Sequence, residues 1–350
     1  MIKVLIAEDS PSIAALMREV LRSDPEISIV GWARSGREAI AMRHDLDPDV
    51  ITMDLNMPQM GGLEAIKTLS ATRPVPILVV STLIESRDSE IAFEALRHGA
   101  LDVMGKPSGA GAGAFSRMEE ELKFRIKAVS KIRPMHRFSR TWTPPSPAVK
   151  KKEEPARKLR QPVIVIGAST GGPPALAQIL SALPRYLPVP VTIVQHIARG
   201  FITGLRQWLD RQSALPVQLA ADGTPLRSGQ VYLAPDDCHL EIAQGKSLSL
   251  TGEAPVGGHR PSVDRLMESA ASVYGSDVLG ILLTGMGRDG AQGLKSIREA
   301  GGRTIVQDEA TSLVFGMPGE AIRRGAAELV RPLEKIADEI VQAIRPKEEG

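Results

Sequence analysis

Short apolar runs punctuate the first third of the chain: Val4–Ala7, Ile27–Trp32, Val50–Met53, Ile77–Val80 and Leu101–Met104. Between them apolar residues recur at i, i+3, i+4 and i+7, as in Ile13, Leu16, Met17, Val20 and Leu21, the period of a helix with one buried face. Strands alternating with helices in this way predict a parallel sheet covered on both faces. The alternation returns after residue 160, where Val163–Ile166, Val191–Val194 and Val278–Leu283 are short and predominantly apolar, as strands buried on both faces should be. Near the end, Leu333, Ile336, Ala337, Ile340, Val341 and Ile344 predict an amphipathic helix opened by Pro332. The expected fold class is α/β: two doubly wound parallel-sheet domains, 1–125 and 161–346, joined by a linker over 126–160. No repeat at a solenoid period is present.

Charge changes the picture only in the linker. Residues 131–160 hold ten Lys/Arg against two acids, with repeated prolines, although the whole chain has a formal net charge of only +2. Such a segment reads as an extended, self-repelling tether, or as one that docks on an acidic or lipid surface. Of the 350 residues, 43% are hydrophobic and 24% charged, which excludes disorder for most of the length. The single cysteine, Cys238, excludes a disulfide scaffold and points to a reducing, cytoplasmic setting. No apolar run approaches the ~18–20 residues of a membrane span, and Met1–Ala7 meets Glu8 and Asp9 too early for a signal-peptide core. Neither membrane insertion nor nucleic acid is expected.

In open parallel sheets, ligands sit beyond the carboxyl ends of the strands. Glu8 and Asp9 follow the first apolar run, Asp54 the third, Ser81 the fourth, and Lys106 with Pro107 the fifth. Three carboxylates held close together repel unless a cation sits among them, and hard oxygen ligands of this kind suit Mg²⁺. Lys106 and the Ser81 hydroxyl would neutralise a phosphoryl group placed on Asp54. The bland alternative is a set of acidic residues solvated at loop starts. With the segment Asp54–Gly62, these residues resemble the receiver domain of bacterial response regulators over about residues 1–125. The resemblance implies a flavodoxin-like fold and phosphorylation at Asp54. It also implies Mg²⁺ bound by Glu8, Asp9, Asp54 and the Asn56 backbone carbonyl. Val103 departs from the pattern: it stands three residues before the lysine, where that family often has an aromatic switch residue.

Gly167–Gly171 fits G-x-S-x-G, a tight strand-to-helix turn that exposes a serine hydroxyl, here that of Ser169. A helix starting there aims unpaired N–H groups at incoming negative charge. His196 follows the run Val191–Gln195, and Asp289 lies in Gly285–Gly290 after the run Val278–Thr284. A serine nucleophile needs a base, and the imidazole needs a carboxylate to fix its tautomer. Two plainer readings stand beside this one: His196 as a strand-end histidine bonded to backbone, and Asp289 as a turn or N-cap aspartate. His44, His98 and His136 lack motif context and are expected at the surface. Cys238-His239 would need a third group to act as a thiol nucleophile, and none is evident. A nucleotide-binding oxidoreductase is disfavoured, because G-x-G-x-x-G is absent and no tyrosine has a lysine four residues on. A transcriptional regulator is disfavoured by the absence of a basic recognition helix.

Gly167–Gly172, Gln195-His196, Ala234-Pro235, His259–Asp264, Thr284–Gly290 and Phe315–Pro318 together resemble the chemotaxis protein-glutamate methylesterase family over about residues 160–345. The resemblance implies a Rossmann-like three-layer domain that hydrolyses glutamyl methyl esters on chemoreceptors, releasing methanol, and deamidates receptor glutamines. It assigns Ser169 as nucleophile, His196 as base then acid, and Asp289 as the orienting carboxylate, with no cofactor for the esterase chemistry. Thr170 and Met286 stand where the family has further site residues, and their backbone N–H groups would serve as oxyanion donors. Arg260 and Asp264 would brace the site. The implied partners are methylated chemoreceptors as substrate and a chemotaxis histidine kinase as phosphodonor, with the chain acting as a monomer. The unphosphorylated receiver is expected to cover the catalytic edge and to uncover it when phosphorylated.

Overall fold

The computed structural model describes residues 1–81, 86–106, 112–132 and 162–344. The expected linker lies outside the described residues from 133 onward, as do Pro107 and His136. Two compact units emerge: described residues 1–132 with Ile197–Trp208, and 162–196 with 209–344.

The first unit alternates strand and helix: β1 (Ile2–Ala7), α1 (Pro11–Arg22), β2 (Ile27–Ala33), α2 (Gly36–Leu46), β3 (Val50–Met53), α3 (Gly62–Thr72), β4 (Ile77–Ser81), α4 (Ser86–Arg97), β5 (Asp102–Gly105) and α5 (Ala112–Ser130). All its strand pairs are parallel, in the order β2-β1-β3-β4-β5. That is the flavodoxin-like order, whose direction reverses between β1 and β3 and opens a crevice at their carboxyl ends. Val4, Ile6, Val50, Leu78 and Val80 join Met17, Val20 and Leu21 of α1 in one core, so the predicted helical stripe is the face α1 buries. Val103 is almost wholly buried and paired in register with Val79.

The remaining elements are β6 (Val163–Ala168), α6 (Gly172–Ala182), β7 (Val191–Gln195), α7 (Ile202–Gln212), β8 (Val217–Leu219), β9 (Val231–Leu233), β10 (His239–Ile242), β11 (Leu248–Thr251), α8 (Val263–Tyr274), β12 (Val278–Leu282), α9 (Ala291–Glu299), β13 (Arg303–Gln307), α10 (Met317–Arg323), β14 (Leu329–Arg331) and α11 (Leu333–Ile344). The first part of α7, through Trp208, belongs to the first unit. Seven strands pair in parallel in the order β14-β13-β12-β6-β7-β9-β8, and β10 and β11 form a separate antiparallel hairpin. That hairpin was not evident in the apolar pattern. It packs Leu240, Ile242 and Leu248 into the same core as Leu266, Met267 and Ala270 of α8. The central position of β6, flanked by β12 and β7, matters most for chemistry, because it places Ser169 between two other strand ends. Among the described residues, no helix is long and apolar enough to cross a membrane.

Candidate active site

In the first unit, the β1 and β3 ends bring Glu8, Asp9 and Asp54 together, with one carboxylate oxygen of each lying within 4.8 Å of the others. Lys106, just past β5, spans the cluster: its Nζ lies 2.8 Å from Glu8 Oε2 and 2.9 Å from Asp54 Oδ2. The Ser81 hydroxyl donates to Asp54 Oδ1 at 3.3 Å. Burial raises the pKa of Glu8 and of Asp54, and the Lys106 ammonium opposes it without cancelling it. For Lys106 itself burial works against the charge, but its bonds to Glu8 and Asp54 win and raise its pKa. The Asn56 N–H bonds the Asp54 carboxyl and favours its charged form. Oxygen donors converging at this spacing suit a small hard cation, so the residues present fit Mg²⁺.

In the second unit, the ladder runs one residue past the strand ends. The His196 N–H donates to the Ala168 carbonyl at 2.9 Å, and the Ser169 N–H to the Thr284 carbonyl at 3.0 Å. Ser169 therefore sits between the ends of β7 and β12, with His196 as its neighbour across the β6–β7 register. Gln195 ties the two ends together, its Nε2 donating to the carbonyls of Ser169 and His196, each at 2.8 Å. The turn differs from the expected elbow in two ways. Ser169 has no left-handed backbone; that conformation falls on Gly171, at φ 77°. And Ser169 is sheltered, only 7% exposed, rather than presented to solvent. The shelter comes from close approach. A Cβ on Gly285 would stand 2.7 Å from Ser169 Cβ, and one on Gly171 would stand 2.6 Å from Leu313 Cβ. Thr284 fastens the same neighbourhood: its hydroxyl donates to the Thr170 carbonyl at 2.9 Å and accepts the Val314 N–H at 2.9 Å.

Asp289 faces both an imidazole and a helix start. Its Oδ2 lies 2.9 Å from His196 Nε2, an ion-pair distance without the alignment of a hydrogen bond. The carboxylate also closes the N-terminus of α8: Oδ1 accepts the Ser262 hydroxyl at 2.9 Å and the Asp264 N–H at 3.0 Å, and Oδ2 accepts the Val263 N–H at 2.7 Å. It caps a helix, then, but one lying 26 residues upstream rather than the helix it precedes. Burial pushes its pKa up, yet the His196 imidazole and the N–H groups of Asp264 and Val263 outweigh burial and hold the carboxyl well below the usual range. Asp264 reciprocates by accepting the Gly293 N–H of α9 at 2.7 Å. Its own pKa is pushed up to about 6, by burial first and by the neighbouring Asp289 charge, against the Gly293 bond. Arg260 braces backbone, its Nη1 donating to the carbonyls of Gly252 and Glu253 at 3.1 and 3.0 Å.

The hydroxyl–imidazole link remains open: His196 Nδ1 is buried without a hydrogen-bond partner, and among the described residues Ser169 Oγ makes none. Thr170 is buried and Met286 exposed. His44 lies exposed beside Asp45, and His98 is partly exposed beside Glu94. His239 is no thiol partner. It is fully buried, its Nδ1 accepts the Ser262 N–H at 3.2 Å and its Nε2 faces the Ala254 carbonyl at 3.2 Å. In the sequence His259 stands out only as the first residue of a motif, yet its ring stacks on that of His196 with centroids 4.1 Å apart and planes within 4°. No spacing signal connects those two histidines.

Residues 4–112 match the response regulator receiver domain, and residues 164–340 match the CheB methylesterase family. The chain is 42% identical to protein-glutamate methylesterase/protein-glutamine glutaminase 4 of Myxococcus xanthus, across 98% of this chain and 97% of that protein. It is 44% identical to the protein-glutamate methylesterase/protein-glutamine glutaminase 1 of Syntrophus aciditrophicus, across 98% of each. The crystal structure of the Thermotoga maritima CheB methylesterase catalytic domain aligns along its whole length with 53% of this chain, at a TM-score of 0.52 and 38% identity.

Proposed function

Because the chain belongs to the protein-glutamate methylesterase family, with a receiver domain ahead of an ester-hydrolysing domain, we propose that it demethylates chemoreceptor glutamates by acyl transfer through Ser169, His196 and Asp289. The observation that carries the reading is the position of His196. Its Nε2 lies 2.9 Å from Asp289 Oδ2, its Nδ1 is buried without a hydrogen-bond partner, and Ser169 stands at the adjacent strand end. Catalytic hydrogen bonds are often open before substrate binds, and this one would close as substrate is engaged. Ser169 Oγ attacks the ester carbonyl as His196 Nδ1 takes its proton. The N–H groups of Thr170 and Met286 receive the oxyanion. The intermediate collapses, and methanol leaves with the proton held by His196. Water, deprotonated by His196, then attacks the acyl-serine; glutamate is released and Ser169 regains its proton. With a glutamine side chain the same sequence expels ammonia. Throughout, the Asp289 charge stabilises the imidazolium.

The receiver would gate this chemistry. A chemotaxis histidine kinase would place a phosphoryl group on Asp54, with Glu8, Asp9, Asp54 and the Asn56 carbonyl holding Mg²⁺, which supplies charge neutralisation. Phosphorylation adds about −1.5 to −2 charges. Lys106 and Ser81, now bonded to Asp54, are the groups that would re-pair with the phosphoryl oxygens. The decisive test is methanol release from methylated receptor by Ser169→Ala. A loss on the order of 10⁴-fold or more is expected, because the three groups act as a unit. Near wild-type release would end the reading.

A further inference from the structure

We propose that His259 is a positioning residue for this reaction: its imidazole, stacked on the face of His196, fixes the plane in which His196 carries the proton to and from Ser169. The inference rests on the reading of His196 as the base. It begins from an asymmetry in how that ring is held. Asp289 Oδ2 stands 2.9 Å from Nε2 without the alignment of a hydrogen bond, and Nδ1 has no hydrogen-bond partner. A ring touched at one edge can still tilt about that edge. A flat neighbour 4.1 Å away and within 4° of parallel opposes tilt, while leaving in-plane adjustment open.

The support works only if His259 is itself held, and the chain around it is built for that. Val256 and His259 exchange both backbone hydrogen bonds, at 3.0 and 2.9 Å, across Gly257 and Gly258. The two glycines have φ of 58° and 89°, a tight turn that residues with a Cβ rarely adopt. Arg260 clasps the carbonyls of Gly252 and Glu253. His239 pins the segment at both ends, facing the Ala254 carbonyl with Nε2 and taking the Ser262 N–H on Nδ1. Ser262 then donates its hydroxyl to Asp289. One short strap between β11 and α8 therefore meets the base through His259 and the orienting carboxylate through Ser262. His259 also lines a cleft of about 530 Å³ with Val256, Asp264, Arg288 and Asp289, so a substrate contact is the competing role, and the experiment separates the two.

The test compares His259→Phe, His259→Leu and His259→Ala in the full-length chain. Each is measured by kcat and KM for methanol release and by the rate at which Ser169 is labelled by a small fluorophosphonate. Labelling needs the serine–imidazole pair and no receptor. His259→Ala is expected to lower kcat and labelling together by about 10- to 100-fold with KM changed less than about threefold, the scale of a misplaced catalytic group. His259→Phe, which keeps a flat ring, is expected to recover most of both, and His259→Leu, similar in bulk but not flat, much less. Unchanged labelling in His259→Ala overturns the proposal, as does a change confined to KM. So does equal activity of the Phe and Leu variants. If the unsubstituted chain is not labelled at Ser169, the reading of the whole site fails instead, which is a distinguishable result.

Discussion

Asp54 and Asp289 are both buried carboxylates near the carboxyl edge of a parallel sheet, and their surroundings treat them in opposite ways. Around Asp54 burial prevails and raises the pKa; the largest compensation comes from one ammonium, that of Lys106, which Glu8 shares. Around Asp289 burial is outweighed, because an imidazole and the N–H groups of a helix start all converge on it. A carboxylate answered mainly by a shared lysine can exchange that partner when a cation or a phosphoryl group arrives. One closed into a helix N-terminus has nothing to exchange and keeps its charge throughout a reaction cycle. The first arrangement suits a site that must change state, and the second a site that must not.

Asp289→Asn is the strongest way to break that contrast. The amide can no longer hold the imidazolium, and its NH₂ group would face the Val263 N–H or His196. Methanol release should fall about 10³- to 10⁴-fold, while a small phosphodonor still modifies Asp54 at the wild-type rate. A variant that keeps more than a tenth of its activity would reduce Asp289 to a helix cap. Asp54→Asn is the converse experiment. Stimulation of methanol release by a phosphodonor, expected at around tenfold from ordinary coupling energies, should vanish. Persistent stimulation would mean that Asp54 is not the group being modified.

The same contrast explains what the sequence made legible. Glu8, Asp54, Ser81 and Lys106 all stand directly at or after a strand, so reading strand ends was enough to collect the whole acid cluster. Ser169 and His196 were legible for the same reason. The packing around them was less so. Ser262, His239 and His259 come from the strap and hairpin around β10 and β11, strands of four residues whose apolar alternation is too short to register as a pattern. Asp289 was caught between two readings because a capping aspartate is normally sought before its own helix, whereas this one caps α8 from the start of α9. The close packing around the Ser169 turn has no local signature, because Gly285 approaches Ser169 and Leu313 approaches Gly171, contacts between segments more than a hundred residues apart.

The smallest predicted effect sharpens the contrast by titration. Asp264 shares the α8 N-terminus with Asp289, but its carboxyl is pushed up to about 6 by burial and by the Asp289 charge. In the unfolded chain it would release its proton near pH ~4. Between those values the folded state binds the extra proton, so the group's contribution to stability is full below pH ~4 and is lost as the pH rises through about 6. At neutral pH the ionised group is therefore a liability, on the order of 1–2 kcal/mol once its coupling to Asp289 is allowed for. Asp264→Asn removes the charge and keeps an oxygen for the Gly293 N–H. Denaturant unfolding should show the variant more stable than the parent by that amount at about pH 7.5 and equal to it near pH ~4. Asp289, depressed rather than raised, contributes stability that is present above pH ~4 and fails only in stronger acid, so it does not obscure the window. A variant less stable at neutral pH would show that the α9 N-terminus needs the Asp264 charge, which would make the two aspartates a matched pair of caps rather than one fixed charge beside one adjustable neighbour.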